Sequence, residues 1–164
     1  MKTRDMVLLS LLTAQAIVLH YIESFIPVIA PGAKLGLANI MTIVTLYIFG
    51  TKYALMVSVI RILLGSLLSG NPMGILFGLA GGLLSLTIMA ILKKYPKYFS
   101  LIGVSTAGAA LHNLGQLITA ALLYKTKGIL FTYMPILMLT SAITGYFIGF
   151  ASNHIIIYLK EHFE

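Results

Sequence analysis

The sequence predicts an all-α membrane protein, a bundle of six transmembrane helices that forms one integral membrane domain over residues 1–164. Three observations predict it. Hydrophobic residues make up 59% of the chain and charged residues 9%, against about 25% charged in a soluble domain. Mean hydropathy is +1.00, so water is not the main solvent of the fold. The apolar residues fall into six blocks, and a chain of 164 residues leaves no length for a second, soluble domain.

The first block, Met6–Tyr21, follows Met1-Lys2-Thr3-Arg4-Asp5. A charged start before an apolar run has the outline of a secretory signal. No small-residue cleavage site follows it, so a retained helix is expected. The blocks Gly36–Phe49 and Tyr53–Leu68 are short against the ~20 residues that cross ~30 Å of hydrocarbon. Gly50-Thr51-Lys52 between them suits a tight interfacial turn, so two helices are expected rather than one. Met73–Leu92, Ser100–Tyr124 and Ile129–Tyr158 are each long enough, and Pro135 either kinks the last or marks its real start.

Lys and Arg set the orientation. With the N-terminus inside, the inner segments hold Lys2, Arg4, Lys52, Lys93, Lys94, Lys97 and Lys160, and the outer ones hold Lys34, Lys125 and Lys127. This asymmetry puts both termini in the cytoplasm. The same scatter through short loops explains the net charge of +7 without nucleic acid. The lack of Cys excludes disulfides and thiolate-held metals or clusters. Small residues recur as Ser10/Ala14, Gly103/Ala107 and the group Gly78, Gly81 and Gly82. They serve either close packing within the chain or docking of another membrane subunit.

Polar groups inside apolar blocks are costly, and ionisable ones point to function by default. Here they are Gln15, His20, Glu23, Asn39, Arg61, His112, Asn113 and Gln116, with Lys34 and Asn71 at the rim. His20 and Glu23 fall near the outer end of the first helix, and Asn39 in the first turn of the second. Arg61 falls near mid-membrane, and His112 near the middle of the fifth span with Gln116 one turn further out. The set therefore gathers in the outer half of the bundle. His112, Asn113 and Gln116 are spaced to share one helical face. The alternative is that they bond a neighbouring helix, at about 0.6 kcal/mol per contact. His20 and His112 as a haem pair are disfavoured, since their estimated depths differ by about two turns of 5.4 Å pitch.

The connection from Glu23 to Asn39 holds two prolines, Pro27 and Pro31, and two glycines, Gly32 and Gly36. Non-helical backbone of this kind at membrane depth is tolerated when it is buried in protein or lines a cavity. Lys34 precedes the second helix, whose free N–H groups favour anions. The alternative is an ordinary outer loop with a snorkelling Lys. Glu23 can pair only one of Lys34 and Arg61, which leaves a cation for a small anionic or amphiphilic ligand in an apolar-walled pocket. No metal site and no cofactor are expected.

Three stretches carry a family resemblance: Pro31-Gly32-Ala33-Lys34-Leu35-Gly36-Leu37-Ala38-Asn39-Ile40, the glycine-rich segment from Arg61 to Gly82, and His112-Asn113-Leu114-Gly115-Gln116. Together they resemble the bacterial heptaprenyl diphosphate synthase component I family, also called the Gx transporter family. That family is similar to the six-helix substrate-binding (S) components of energy-coupling factor (ECF) transporters. The resemblance implies that Lys34, Asn39, Arg61, His112, Asn113 and Gln116 are the family's motif positions. It also implies partners, namely a transmembrane coupling subunit and ATPases, because the chain has no Walker A loop. The synthase chemistry itself is not expected. A Mg²⁺-held diphosphate needs several oxygen ligands, and Asp5 is the single Asp. Substrate capture from the outer side is the first expectation, through Glu23, Lys34, Asn39, Arg61, Asn113 and Gln116. The alternative is a non-catalytic membrane subunit of isoprenoid-quinone or flavin-linked redox metabolism, with His112 and Gln116 hydrogen-bonding a quinone head.

Overall fold

The computed structural model describes residues 2–26, 36–126 and 128–163. These fold into six helices: α1 (Thr3–Glu23), α2 (Asn39–Ile48), α3 (Thr51–Leu68), α4 (Met73–Leu92), α5 (Leu101–Leu123) and α6 (Gly128–Phe163). The helix starts follow from local chemistry. Asp5 accepts from the Lys2 backbone N–H at 3.1 Å. Asn71 accepts from the Gly74 N–H at 3.0 Å, and Ser100 from the Gly103 N–H at 3.2 Å. Each satisfies a donor that the first turn leaves open. The break between α2 and α3 falls at Gly50, whose φ of +90° suits only glycine. Pro135 lies inside α6 rather than at its start.

The outer faces are apolar. Met6, Val7, Leu11 and Val18 of α1, Leu76 and Leu83 of α4, and Phe131, Leu139, Ile143 and Phe147 of α6 are all exposed. An apolar surface of this extent in a chain of this composition is suited to lipid. Four helices, α1, α3, α4 and α6, are long and apolar enough to cross a membrane. The fifth helix has 23 residues, but His112, Asn113 and Gln116 lower its hydropathy.

The short second helix departs from the expectation of a span over Gly36–Phe49. It has ten residues, or about 15 Å, which is half the hydrocarbon thickness. Met41, Thr42, Ile43, Val44, Thr45 and Leu46 are buried in succession, so this helix has no lipid-facing side. It packs against α1, α3, α4 and α6 and forms the axis of the bundle. Its inner end is fixed by Lys93, which follows α4. The Lys93 ammonium donates to the Leu46 carbonyl at 2.6 Å and lies 5.1 Å from the Tyr47 ring centre. Leu9, Leu12 and Ala16 of α1 and Val104 of α5 complete the core with these residues.

Arg4 and Asp5 at the start of α1 line the same groove as Leu159 and Lys160 near the end of α6, together with Ile48 and Phe49. Both terminal helices therefore end at one end of the bundle. Between Glu23 and Thr51 the chain returns to that end, with α2 as the last part of the return. Impermeant thiol labelling checks the arrangement. Thr126→Cys, between α5 and α6, is expected to react from outside whole cells, and Pro96→Cys, between α4 and α5, is not. The reverse pattern would invert the orientation.

Candidate functional site

The polar residues of the sequence are positioned by the entry into α2. Gly36 adopts φ +79°, and its carbonyl accepts the Asn39 N–H at 2.8 Å, turning the chain into the helix. The Gly36 N–H donates to a Glu23 carboxylate oxygen. The last residue of α1 thereby holds the first turn before α2. A side chain at Gly36 would be strained at this φ, and its Cβ would stand 3.3 Å from Ile148.

Arg61 lies ten residues into α3, about 15 Å along the axis, and is 3% exposed. Its Nη2 donates to Asn39 Oδ1 at 3.0 Å and its Nε to Thr42 Oγ1 at 3.2 Å. Asn39 and Thr42 are one helical turn apart, so α2 presents both acceptors on one face. Asn39 Nδ2 reaches Ser85 Oγ of α4 at 3.4 Å. Glu23 shares the cavity with Arg61 and attracts its charge. The buried cation of α3 thus rests against the first turn of α2, the axial helix, which begins near the middle of the bundle.

Glycines let the remaining polar groups reach the same place. A Cβ on Gly65 of α3 would come 2.5 Å from the His20 ring, so the imidazole of α1 lies directly over that glycine. A Cβ on Gly81 of α4 would come 2.6 Å from the His112 carbonyl oxygen, and one on Gly115 of α5 would come 2.8 Å from the Ala80 carbonyl oxygen. The two backbones touch at this crossing, as small residues permit. His112 and Gln116 are thereby held against α4.

His20, Glu23, Gly36, Asn39, Arg61, Ile62, Gly78, His112 and Gln116 line one cavity. It offers about 10 Å³, room for about one water molecule. Gln116 is 1% exposed, and its Oε1 has no hydrogen-bond partner among the described residues. A buried carbonyl oxygen in that state costs free energy unless a water or ligand donor meets it. Among the described residues no group of three or more His, Cys, Asp or Glu is placed to hold a metal ion.

Of the residues expected from sequence, the structure brings together Glu23, Asn39, Arg61, His112 and Gln116. Asn113 is not with them. It is buried against α6, where Nδ2 donates to the Leu137 carbonyl at 3.3 Å. The expected common face of His112, Asn113 and Gln116 is therefore divided: two residues face the cavity and one braces α5 on α6. Lys34 and the Pro27–Gly32 stretch lie outside the described residues. His20 and His112 line the same cavity, so the depth difference of two turns expected for them is corrected. A space for one water does not admit a porphyrin. Asn71 serves as a helix cap, and Gln15 is exposed on α1.

Sequence reasoning missed Thr42, Ser85 and the lining residue Ile62, and it read Gly78 as a packing or docking residue rather than as part of the cavity wall. The signal for Thr42 was its spacing from Asn39. Hydroxyls in membrane helices bond their own backbone so often, as Thr45 does with the Met41 carbonyl at 2.7 Å, that they do not stand out.

No curated protein and no solved structure matches the chain. The sequence profile of heptaprenyl diphosphate synthase component I matches residues 12–155, an extent that takes in the entry to α2, the Arg61 helix and the His112–Gln116 segment, and the chain belongs to that family.

Proposed function

We propose that the chain is a solute-binding membrane subunit of the S-component kind, with six passes through the membrane. It captures a small anionic or amphiphilic solute from the outer side. The observation that carries this reading is the convergence of His20, Glu23, Asn39, Arg61, His112 and Gln116, from four helices, on one buried cavity. Structural polar contacts between helices need no such common point. In the conformation described the cavity holds about one water, so a larger solute enters only as the walls part. Its wall at Gly36 directly follows residues 27–35 in the chain.

Arg61 and Lys34 supply positive charge in this reading, and Asn39, His112 and Gln116 supply hydrogen bonds. Glu23 orients the entry to α2 and balances one cation. Uptake is driven by a transmembrane coupling protein and ATPases. Ser10 and Ala14 are exposed on α1 and form a candidate contact face for that coupling protein.

The family name favours a second reading, that of a non-catalytic membrane subunit in isoprenoid-quinone or flavin-linked redox metabolism. The two separate on affinity purification in mild detergent. Coupling and ATPase subunits are expected under the first, and prenyl or redox enzymes under the second. Mass spectrometry of co-purifying small molecules names the ligand.

With the ligand in hand, Lys34→Gln is expected to weaken an anionic form by about 1.5–3 kcal/mol, the worth of a charge-assisted contact, and a neutral analogue less. Gln116→Leu is expected to weaken both forms alike. Equal losses for the two forms on Lys34→Gln, or none, would reduce Lys34 to an interfacial anchor and remove the case for anion capture.

A further inference from the structure

A second site lies at the opposite end of the bundle from the Glu23–Gly36 entry. Arg4, Asp5 and Leu8 of α1, Ile48 and Phe49 at the end of α2, and Leu159 and Lys160 of α6 enclose a groove of about 220 Å³. Its walls are apolar, and its rim carries two cations, Arg4 and Lys160, against one acid, Asp5. Asp5 already accepts from the Lys2 N–H at 3.1 Å and stands 4.0 Å from Arg4 Nε. The Lys160 ammonium makes no hydrogen bond or ion pair among the described residues.

The positive charge extends beyond the lining. Lys93, bonded to the Leu46 carbonyl at the same end, has its ammonium form disfavoured by burial first and by the charge of Lys160 second. Lys93 and Lys160 are therefore near enough to repel one another. An anion placed between Arg4 and Lys160 would relieve that repulsion. Directly beside the groove, Met6, Val7 and Leu11 of α1 are exposed apolar residues. The cations thus stand where an apolar surface meets a polar one.

We propose that this groove binds the phosphate of an anionic phospholipid, with Arg4 and Lys160 on the phosphate and Leu8, Ile48, Phe49 and Leu159 against the start of its acyl chains. Basic pockets between membrane helices at a polar boundary recognise lipid head groups in this way. A free phosphate ion would use the same cations but would gain nothing from the apolar walls. The site is separate from the cavity around Arg61 and does not depend on what that cavity binds.

The test uses the full chain in neutral detergent, with phosphatidylglycerol or phosphatidylcholine added and retained lipid counted by native mass spectrometry. Phosphatidylglycerol is expected to be retained in preference. Arg4→Gln and Lys160→Gln are each expected to lower its retention by about five-fold, and the double variant to bring it to the phosphatidylcholine level. Lys125→Gln, between α5 and α6 at the other end, is expected to leave retention unchanged. Melting of all variants without lipid is expected to match the parent chain, which separates lost binding from lost fold. Equal retention by the double variant and the parent would overturn the site. Displacement of phosphatidylglycerol by millimolar inorganic phosphate would overturn the lipid as its occupant.

Discussion

Arg61→Met is expected to cost about 3–5 kcal/mol of stability, the range for breaking a buried charged pair from one side, and to abolish ligand retention. The substitution removes the donors that reach Asn39 Oδ1 and Thr42 Oγ1. It also takes the guanidinium charge away from the Glu23 carboxylate, 5% exposed in the same cavity. Most of the loss is assigned to that lost attraction and to the two acceptors that Arg61 leaves. Adding Glu23→Gln to Arg61→Met is therefore expected to restore part of the stability, because a neutral amide is less costly to bury there than a carboxylate. The two changes are non-additive, as contacts within one network are. Thermal unfolding in detergent for the parent, the two single variants and the double variant checks this. Ile60→Leu, beside Arg61 in the chain, is the control and is expected to stay within about 1.5 kcal/mol of the parent. A double variant weaker than Arg61→Met would show that Glu23 stabilises through Gly36 alone. Normal ligand retention by Arg61→Met would make the residue structural.

Much of this organisation was legible in the sequence, and the failures have physical causes. The Gly50 break was visible because a glycine beside a charged residue at a span end has few other uses. Arg61 stood out because a permanent charge deep in an apolar block is costly. The half-length of α2 was hidden. Hydropathy reports how apolar a segment is, and residues 36–49 are as apolar as a span, since a helix buried on every side needs no polar face. Its proper start was set by Gly36 and Glu23, which are thirteen residues apart in the chain. Asn113 was misplaced for a related reason. Spacing of three or four residues puts side chains on neighbouring parts of one surface, but α5 is packed on both α4 and α6. One turn of helix serves both contacts. His20 looked remote from His112 because depth was counted along ideal parallel helices, whereas Gly65 lets the imidazole lie directly over α3.

The crossing of α4 and α5 bears the second large effect. Gly115→Ala is expected to destabilise the protein by about 1–3 kcal/mol, the usual cost of overpacking, although alanine favours a helix over glycine by up to ~1 kcal/mol. The new Cβ would stand 2.8 Å from both the Ala80 carbonyl oxygen and the Gly81 Cα. These are backbone atoms of a packed helix and have no rotamer to escape into, so the helices must separate. Gly103→Ala in the same helix is expected to do the opposite. The nearest atom to its Cβ is Ser100 Oγ at 3.6 Å, an ordinary contact, so the propensity gain survives and stability rises by up to ~1 kcal/mol. Gly81→Ala is the stricter probe of the site, since its Cβ meets the His112 carbonyl oxygen at 2.6 Å and Gln116 Cγ at 3.0 Å. It is expected to weaken ligand retention as well as stability, by moving the helix that carries two lining residues without altering either of them. Melting temperatures and retention for the three variants decide the matter. If Gly115→Ala and Gly103→Ala change stability in the same direction, the crossing is looser than the close backbone approach requires, and the placement of His112 and Gln116 by glycine contact is wrong.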